Sequence, residues 1–337
     1  MENKDIEVLN FEEDVTPEKQ VEFSVVKSYG EDITAKQYVT NPAIAREKEI
    51  KRLILVLLTP EKSGILVGKP GIGKTAIVEG LAYLIQREEV PNALKGYRII
   101  KFNSTSLIGK MFVNGKEELI MNMLVQELKT MSKVIIFIDE IHTLIGGGES
   151  ETMDLANMLK PGLDRGEIKA IGATTTQEYD TYVVRDRAFL RRFEKIEVAE
   201  PDEPTTVRIL MGSLPKIEKQ TGIKMKYNNY VTELLMTAIV SATSEFKRVY
   251  GLAAMYPDVA FSVLTAAFSE ALFQNHSEVT IADVYNAIKN SKRIYPDSIV
   301  KELALFREKF QPLCDDEGEG TLPVVTIEDI DRMEDSY

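Results

Sequence analysis

Eight residues, Gly68-Lys69-Pro70-Gly71-Ile72-Gly73-Lys74-Thr75, constrain the fold of this chain more than any other stretch. They fit G-x-x-x-x-G-K-[ST] at every fixed position. Before them runs the apolar segment Ser63 to Val67, and after them Thr75 to Gln86 shows helical spacing, with Ile77, Val78, Leu81, Leu84 and Ile85 on one side. Glycines at this spacing let the backbone curl so that its N–H groups face phosphate oxygens, helped by the positive end of the following helix. Lys74 is expected to reach the β- and γ-phosphates, and Thr75 to hold Mg²⁺. Gly68, Pro70, Gly71, Ile72, Gly73, Lys74, Thr75 and Ala76 form the expected ATP-binding set. Such a loop works only between a strand and a helix, so it commits this part of the chain to an α/β fold.

The flanking pattern agrees. Arg98–Phe102, Val134–Ile138, Ala170–Thr174 and Lys195–Val198 are short apolar runs separated by helical stretches. The continuous run Val134-Ile135-Ile136-Phe137-Ile138 suits a strand buried on both faces of a parallel sheet. It ends in Asp139-Glu140, at the strand end where open α/β sheets bind ligands. Asp139 is expected to reach Mg²⁺ through water, and Glu140 to polarise an attacking water. After Glu200-Pro201-Asp202-Glu203-Pro204 the pattern becomes helical: Thr205–Gln220, Asn229–Ser244, Pro257–Gln274 and Thr280–Ser291. The expected organisation is an acidic tail over 1–23, a doubly wound α/β domain over 24–200 and a small all-helical lid over 201–295. A C-terminal helix and acidic tail fill 296–337.

Composition narrows the function classes. Of the net charge of −12, residues 1–23 carry −6 and residues 311–337 carry −8, so the body is close to neutral. A large nucleic-acid surface is therefore disfavoured, and the tails read as solvated or docking arms. No window holds about 18 uninterrupted apolar residues, so no membrane span is expected. One cysteine, Cys314, and two histidines argue against a disulfide or a His/Cys metal site, and fit a reducing cytoplasm. His142, after the acidic pair, reads as a packing or hydrogen-bonding residue.

Longer words sharpen this. Gly68–Leu81, Asp139–Gly146, Met153–Thr175 and Arg191-Arg192-Phe193 closely resemble the first ATPase domain of Clp-type AAA+ unfoldases. The likeness extends from Tyr29-Gly30-Glu31-Asp32 and Pro42–Arg46 to about Lys292. It implies an AAA+ P-loop fold, ATP hydrolysis, and threading of protein substrates through a homo-oligomeric ring, a hexamer. It further implies that Ile44 lines the base pocket, that Thr175 senses the γ-phosphate, and that Arg191 and Arg192 reach a neighbouring subunit's site. Met111, Phe112 and Val113 stand where the family's pore loop grips substrate, with valine at the aligned aromatic position. Gly146–Ser150 stands at a second channel loop.

The chain also departs from the family. No recruiting N-terminal domain, coiled-coil insertion or second ATPase domain is recognisable, so a single ring is expected. Val259 replaces a lysine in Pro257-Asp258-Val259-Ala260, leaving Arg248 as the nearest basic substitute. The alternative reading is a nucleotide-switched regulator that forms a ring or joins another Clp ATPase without threading. A DNA-associated AAA+ loader is the weaker third.

Overall fold

The computed structural model describes residues 24–113, 116–145, 162, 168–250 and 255–334. The six sheet strands are β1 (Gly30–Asp32), β2 (Ser63–Val67), β3 (Arg98–Asn103), β4 (Val134–Asp139), β5 (Lys169–Thr174) and β6 (Phe193–Glu197). Their spatial order is β1-β3-β4-β5-β2-β6. The last five run parallel, and the short edge strand β1 pairs antiparallel with β3.

Alternation along each strand builds two separate cores. Ile136 and Ile138 of β4 join Ile65, Ile100 and Phe102 on one face, beneath α3 (Ile120–Thr130). Ile135 and Phe137 join Leu66, Ile99 and Ile171 on the other, beneath α1 (Glu47–Leu58) and α2 (Lys74–Gln86). Successive side chains of a strand point to opposite faces, so a run of five apolar residues must be covered twice. The doubly wound expectation holds, with one antiparallel edge added.

The helical domain is built mainly on α4 (Glu203–Thr221), α5 (Asn229–Ala242), α6 (Asp258–Phe273), α7 (Ile281–Lys289) and α8 (Pro296–Glu317), with a short last helix, Ile327–Glu334. Helix α4 begins two residues earlier than its periodicity suggests. The Asp202 carboxylate caps it by accepting from Thr205 N at 2.9 Å, and Pro204 sits in the first turn, where a missing N–H is harmless. Thr280 and Asp283 close a reciprocal capping box on α7.

Residue 295 is not a break in packing. Ile299, Leu303, Phe306, Phe310 and Cys314 of α8 belong to the same core as α4 to α7. Nor is the acidic stretch after α8 a solvated arm where it is described. Gly318 turns the chain back, and Leu322, Val325 and Ile330 are buried in that core. Glu319 is held by Lys226 Nζ at 2.6 Å and by the Tyr227 hydroxyl at 2.5 Å. Charge density alone reads as solvation; specific partners decide otherwise. Residues 1–23 lie outside the described residues. Among those described, no helix is long and apolar enough to cross a membrane.

Burial, with the charges of Glu319 and Asp315 adding to it, pushes the Cys314 thiol up to about 11. The thiol should therefore resist alkylation at neutral pH until the helical core opens. Phe310→Ala, emptying a fully buried site, should cost about 3–5 kcal/mol. It should speed Cys314 labelling by orders of magnitude, as followed by mass spectrometry.

Candidate nucleotide site and an exposed hairpin

The phosphate loop leaves β2 at the carboxyl ends of the parallel strands. Gly71 and Gly73 adopt φ of 76° and 95°, the left-handed region that side chains avoid. Lys74 opens α2, and its Nζ donates to the loop carbonyls of Gly68 at 2.8 Å and Lys69 at 3.1 Å. Burial lowers the pKa of this ammonium, while Asp139, Glu178 and Glu140 act in the opposite direction. A desolvated cation facing carboxylates is ready to accept the charge of a polyphosphate.

Strand register brings the acidic pair to the same place. Asn103 pairs with Asp139 at the end of β3 and β4, and Val67 pairs with Thr174 at the end of β2 and β5. Thr75 Oγ1 then lies 3.2 Å from Asp139 Oδ2, and Lys101 Nζ lies 4.0 Å from the same oxygen. Glu140 is exposed and sits in the left-handed region at φ 52°, a conformation that non-glycine residues adopt mainly where the surroundings impose it. His142 bonds through Nδ1 to Thr174 Oγ1 at 2.9 Å and stacks on Tyr182.

Thr175 follows β5, but its hydroxyl is engaged locally. It bonds to the Glu178 carboxylate, which also accepts from Thr175 N at 3.0 Å. Arg191 and Arg192 lie at the other end of the sheet. Phe193 pairs with Ser63 at the start of β2, four residues before Val67, which at 3.3 Å per residue is about 13 Å from the phosphate loop. Arg191 is exposed, and Arg192 Nη1 donates to Ala188 O at 2.7 Å.

Ile44 contributes to a cavity of about 520 Å³ with Ile72, Ala76, Ile209, Pro257 and Phe261. Both domains build this wall: Ile44 packs so closely on Gly212 of α4 that a Cβ there would fall 2.6 Å from its Cδ1. Sequence reading missed Arg46. It is 6% exposed, and its guanidinium donates to Ile72 O at 2.7 Å, Ala199 O at 3.0 Å and Glu49 Oε1 at 2.9 Å. Its nearness in sequence to Ile44 was the available signal. Arg248, the basic substitute expected near the nucleotide, is committed elsewhere. It is buried, bonds Glu200 Oε1 at 2.9 Å and Thr243 O at 2.6 Å, and stacks on Tyr256.

The apolar segment expected as a loop is a β-hairpin. Lys110–Val113 pairs antiparallel with Lys116–Leu119, Val113 opposite Lys116. The intervening Asn-Gly is the dipeptide favoured by two-residue hairpins, a signal the apolar content obscured. Alternation divides the side chains: Met111 packs on the sheet-face core, whereas Phe112 is 75% exposed. Residues 114–115 and the Val113 side chain lie outside the described residues, as does Gly146–Ser150.

Comparison with known proteins agrees with this geometry. Residues 64–200 match the ATPase family associated with various cellular activities, AAA. The chain is 43% identical over 217 residues to the chaperone protein ClpB of Aquifex aeolicus, covering 63% of this chain and 22% of that protein. Residues 64–200 are an AAA domain, and the chain is homologous to the Clp-type ATPases. It is also 34% identical to a probable ATP-dependent Clp protease ATP-binding subunit of Chlamydia pneumoniae, over 87% of this chain and 34% of that protein. In solved structures, Hsp104 with ATPyS and FITC casein aligns at a TM-score of 0.66 and 33% identity, over 79% of this chain and 45% of that one. The Saccharomyces cerevisiae Hsp104-ADP complex aligns at 0.63 and 35% identity, over 79% and 44%. The chain thus spans about a third or less of these curated relatives. An AAA domain binds nucleotide, and Arg46 holds its phosphate loop here at the Ile72 carbonyl. Arg46→Ala leaves two carbonyls without their donor and should cost on the order of 2–4 kcal/mol, read by thermal unfolding, and weaken nucleotide binding in the same variant.

Proposed function

We propose that this chain is an ATP-hydrolysing, Clp-like ring protein of the cytoplasm that unfolds or remodels protein substrates by drawing them through a central pore. The observation that carries the remodelling part is the hairpin. An aromatic side chain 75% exposed on a paired hairpin strand is poorly explained by packing within the chain and well suited to contact an unfolded segment. Each engaged phenylalanine gains on the order of 2 kcal/mol from apolar burial, enough to grip and weak enough to release.

Ile44 and the two-domain cavity hold the base, and the loop amides with Lys74 hold the phosphates. Thr75 and Asp139 offer two hard oxygens 3.2 Å apart, which suits Mg²⁺, a cation that keeps several waters and takes few protein ligands. Bound there, Mg²⁺ supplies charge neutralisation for the leaving phosphate oxygens. Glu140 takes the proton of the attacking water, and Thr175 orients the phosphate end once released from Glu178. Arg191 and Arg192 lie at the opposite end of the sheet from their own phosphate loop, so a phosphate they act on belongs to a neighbouring subunit; this supports a ring of six.

Glu140→Gln should retain ATP binding and lower turnover at least about 100-fold. Arg191→Ala with Arg192→Ala should lower turnover by on the order of 10³ without loss of nucleotide affinity. Phe112→Ala should keep ATP turnover and abolish ATP-driven unfolding of a tagged fluorescent protein. Unfolding that persists in the Phe112 variant would remove the hairpin from the mechanism. Turnover independent of protein concentration and of both arginines would remove the shared site.

A further inference from the structure

One side of the nucleotide cleft is contributed by the helical domain, and there a carboxylate meets the phosphate loop. Asp258 begins α6, and a Cβ built on Gly71 would fall 2.7 Å from Asp258 Cβ and 3.5 Å from its Oδ2. A negative group so close to a polyphosphate site opposes ligand binding, because like charges repel, to an extent that solvent and salt reduce. The structure supplies its neutraliser. Arg293, just beyond α7, places Nη1 3.0 Å from Asp258 Oδ2.

Stability does not account for this pair. The side chains are 39% and 47% exposed, and ion pairs that open to solvent contribute little to folding. Position accounts for it better. The Arg293 carbonyl accepts from Val249 N at 2.9 Å, and Ile294 bridges to Arg248. Arg248 in turn is ion-paired to Glu200 at the domain junction. Arg293 therefore rides on a strap tied to the hinge, and its distance from the phosphate loop follows the position of the helical domain.

We propose that Asp258 and Arg293 form a charge gate on the phosphate loop: the carboxylate weakens polyphosphate binding, the guanidinium offsets it, and nucleotide charge is thereby coupled to helical-domain position. This rests on the reading of Gly68–Thr75 as the ATP site. Arg293 is held by Asp258 when the loop is empty and is shared with the phosphates when it is filled. Both tune polyphosphate binding, and neither performs the hydrolytic step.

The gate and a simple interdomain clasp differ in sign. Fluorescent ATP and ADP analogues are titrated against the full chain as wild type, Arg293→Gln, Asp258→Asn, the double variant and Arg293→Lys. A unit charge left uncompensated near the loop corresponds to roughly a tenfold change in affinity. Arg293→Gln should weaken ATP binding by about that factor and ADP binding by less, the effect shrinking as salt rises. Asp258→Asn should tighten ATP binding, the double variant should return close to wild type, and Arg293→Lys should retain most of the affinity. Equal weakening by both single substitutions, or no change in either, overturns the gate in favour of a clasp or a passive surface pair. Lys74→Ala serves as the separate control. If wild type binds nucleotide and Lys74→Ala binds as well as wild type, the site reading fails whatever the gate variants do.

Discussion

Five parallel strands with apolar residues on both faces can exist only if both faces are covered, and that requirement organises the rest of the molecule. Helices α1 and α2 cover one face and α3 the other. Each connection must run from a carboxyl end back to an amino end, so the strand-terminal residues Val67, Asp139 and Thr174 converge at one edge of the sheet. The phosphate loop, the acidic pair and the capped turn at Thr175 are neighbours for this reason. The arginine pair lies at the other edge for the same reason, since it precedes a strand where the others follow one.

Arg46 joins this edge to the hinge. One buried guanidinium bonds the phosphate loop at Ile72, the last residues of the α/β domain at Ala199, and its own helix at Glu49. Arg248 makes the matching connection from the helical domain, through Glu200. Two buried cations therefore brace the residues between the domains from either side. Such groups are costly to leave unpaired, so the junction keeps its geometry while the cleft between the domains stays open to a ligand. Hinge arginines consumed in this way cannot also read phosphate; Arg293 reaches toward the loop only through Asp258, which it bonds at 3.0 Å and which meets Gly71.

The hairpin obeys the same economy of covered and uncovered faces. Met111 is taken into the sheet-face core, and strict alternation sends Phe112 outward. A one-residue shift of register would exchange them. The exposed aromatic is thus a consequence of pairing, and the valine at the aligned family position does not by itself leave the loop without an aromatic contact.

Much of this was determined by sequence alone. The phosphate loop, the strand ending in Asp139-Glu140, the helix beginning at Thr280, and the change from α/β to all-helical after Pro201 are encoded in residues that are neighbours in the chain. Backbone curvature, side-chain periodicity and capping act over a few residues, so they can be read directly. Tertiary structure alone decided what depends on partners distant in sequence. It folded the acidic stretch at Glu319 onto Lys226 and Tyr227, spent Arg248 on Glu200, and drew Arg46 to Ile72. It also set Asp258 against Gly71. A charged side chain carries no local sign of which opposite charge or carbonyl it will meet, because that choice is made only when separate elements pack.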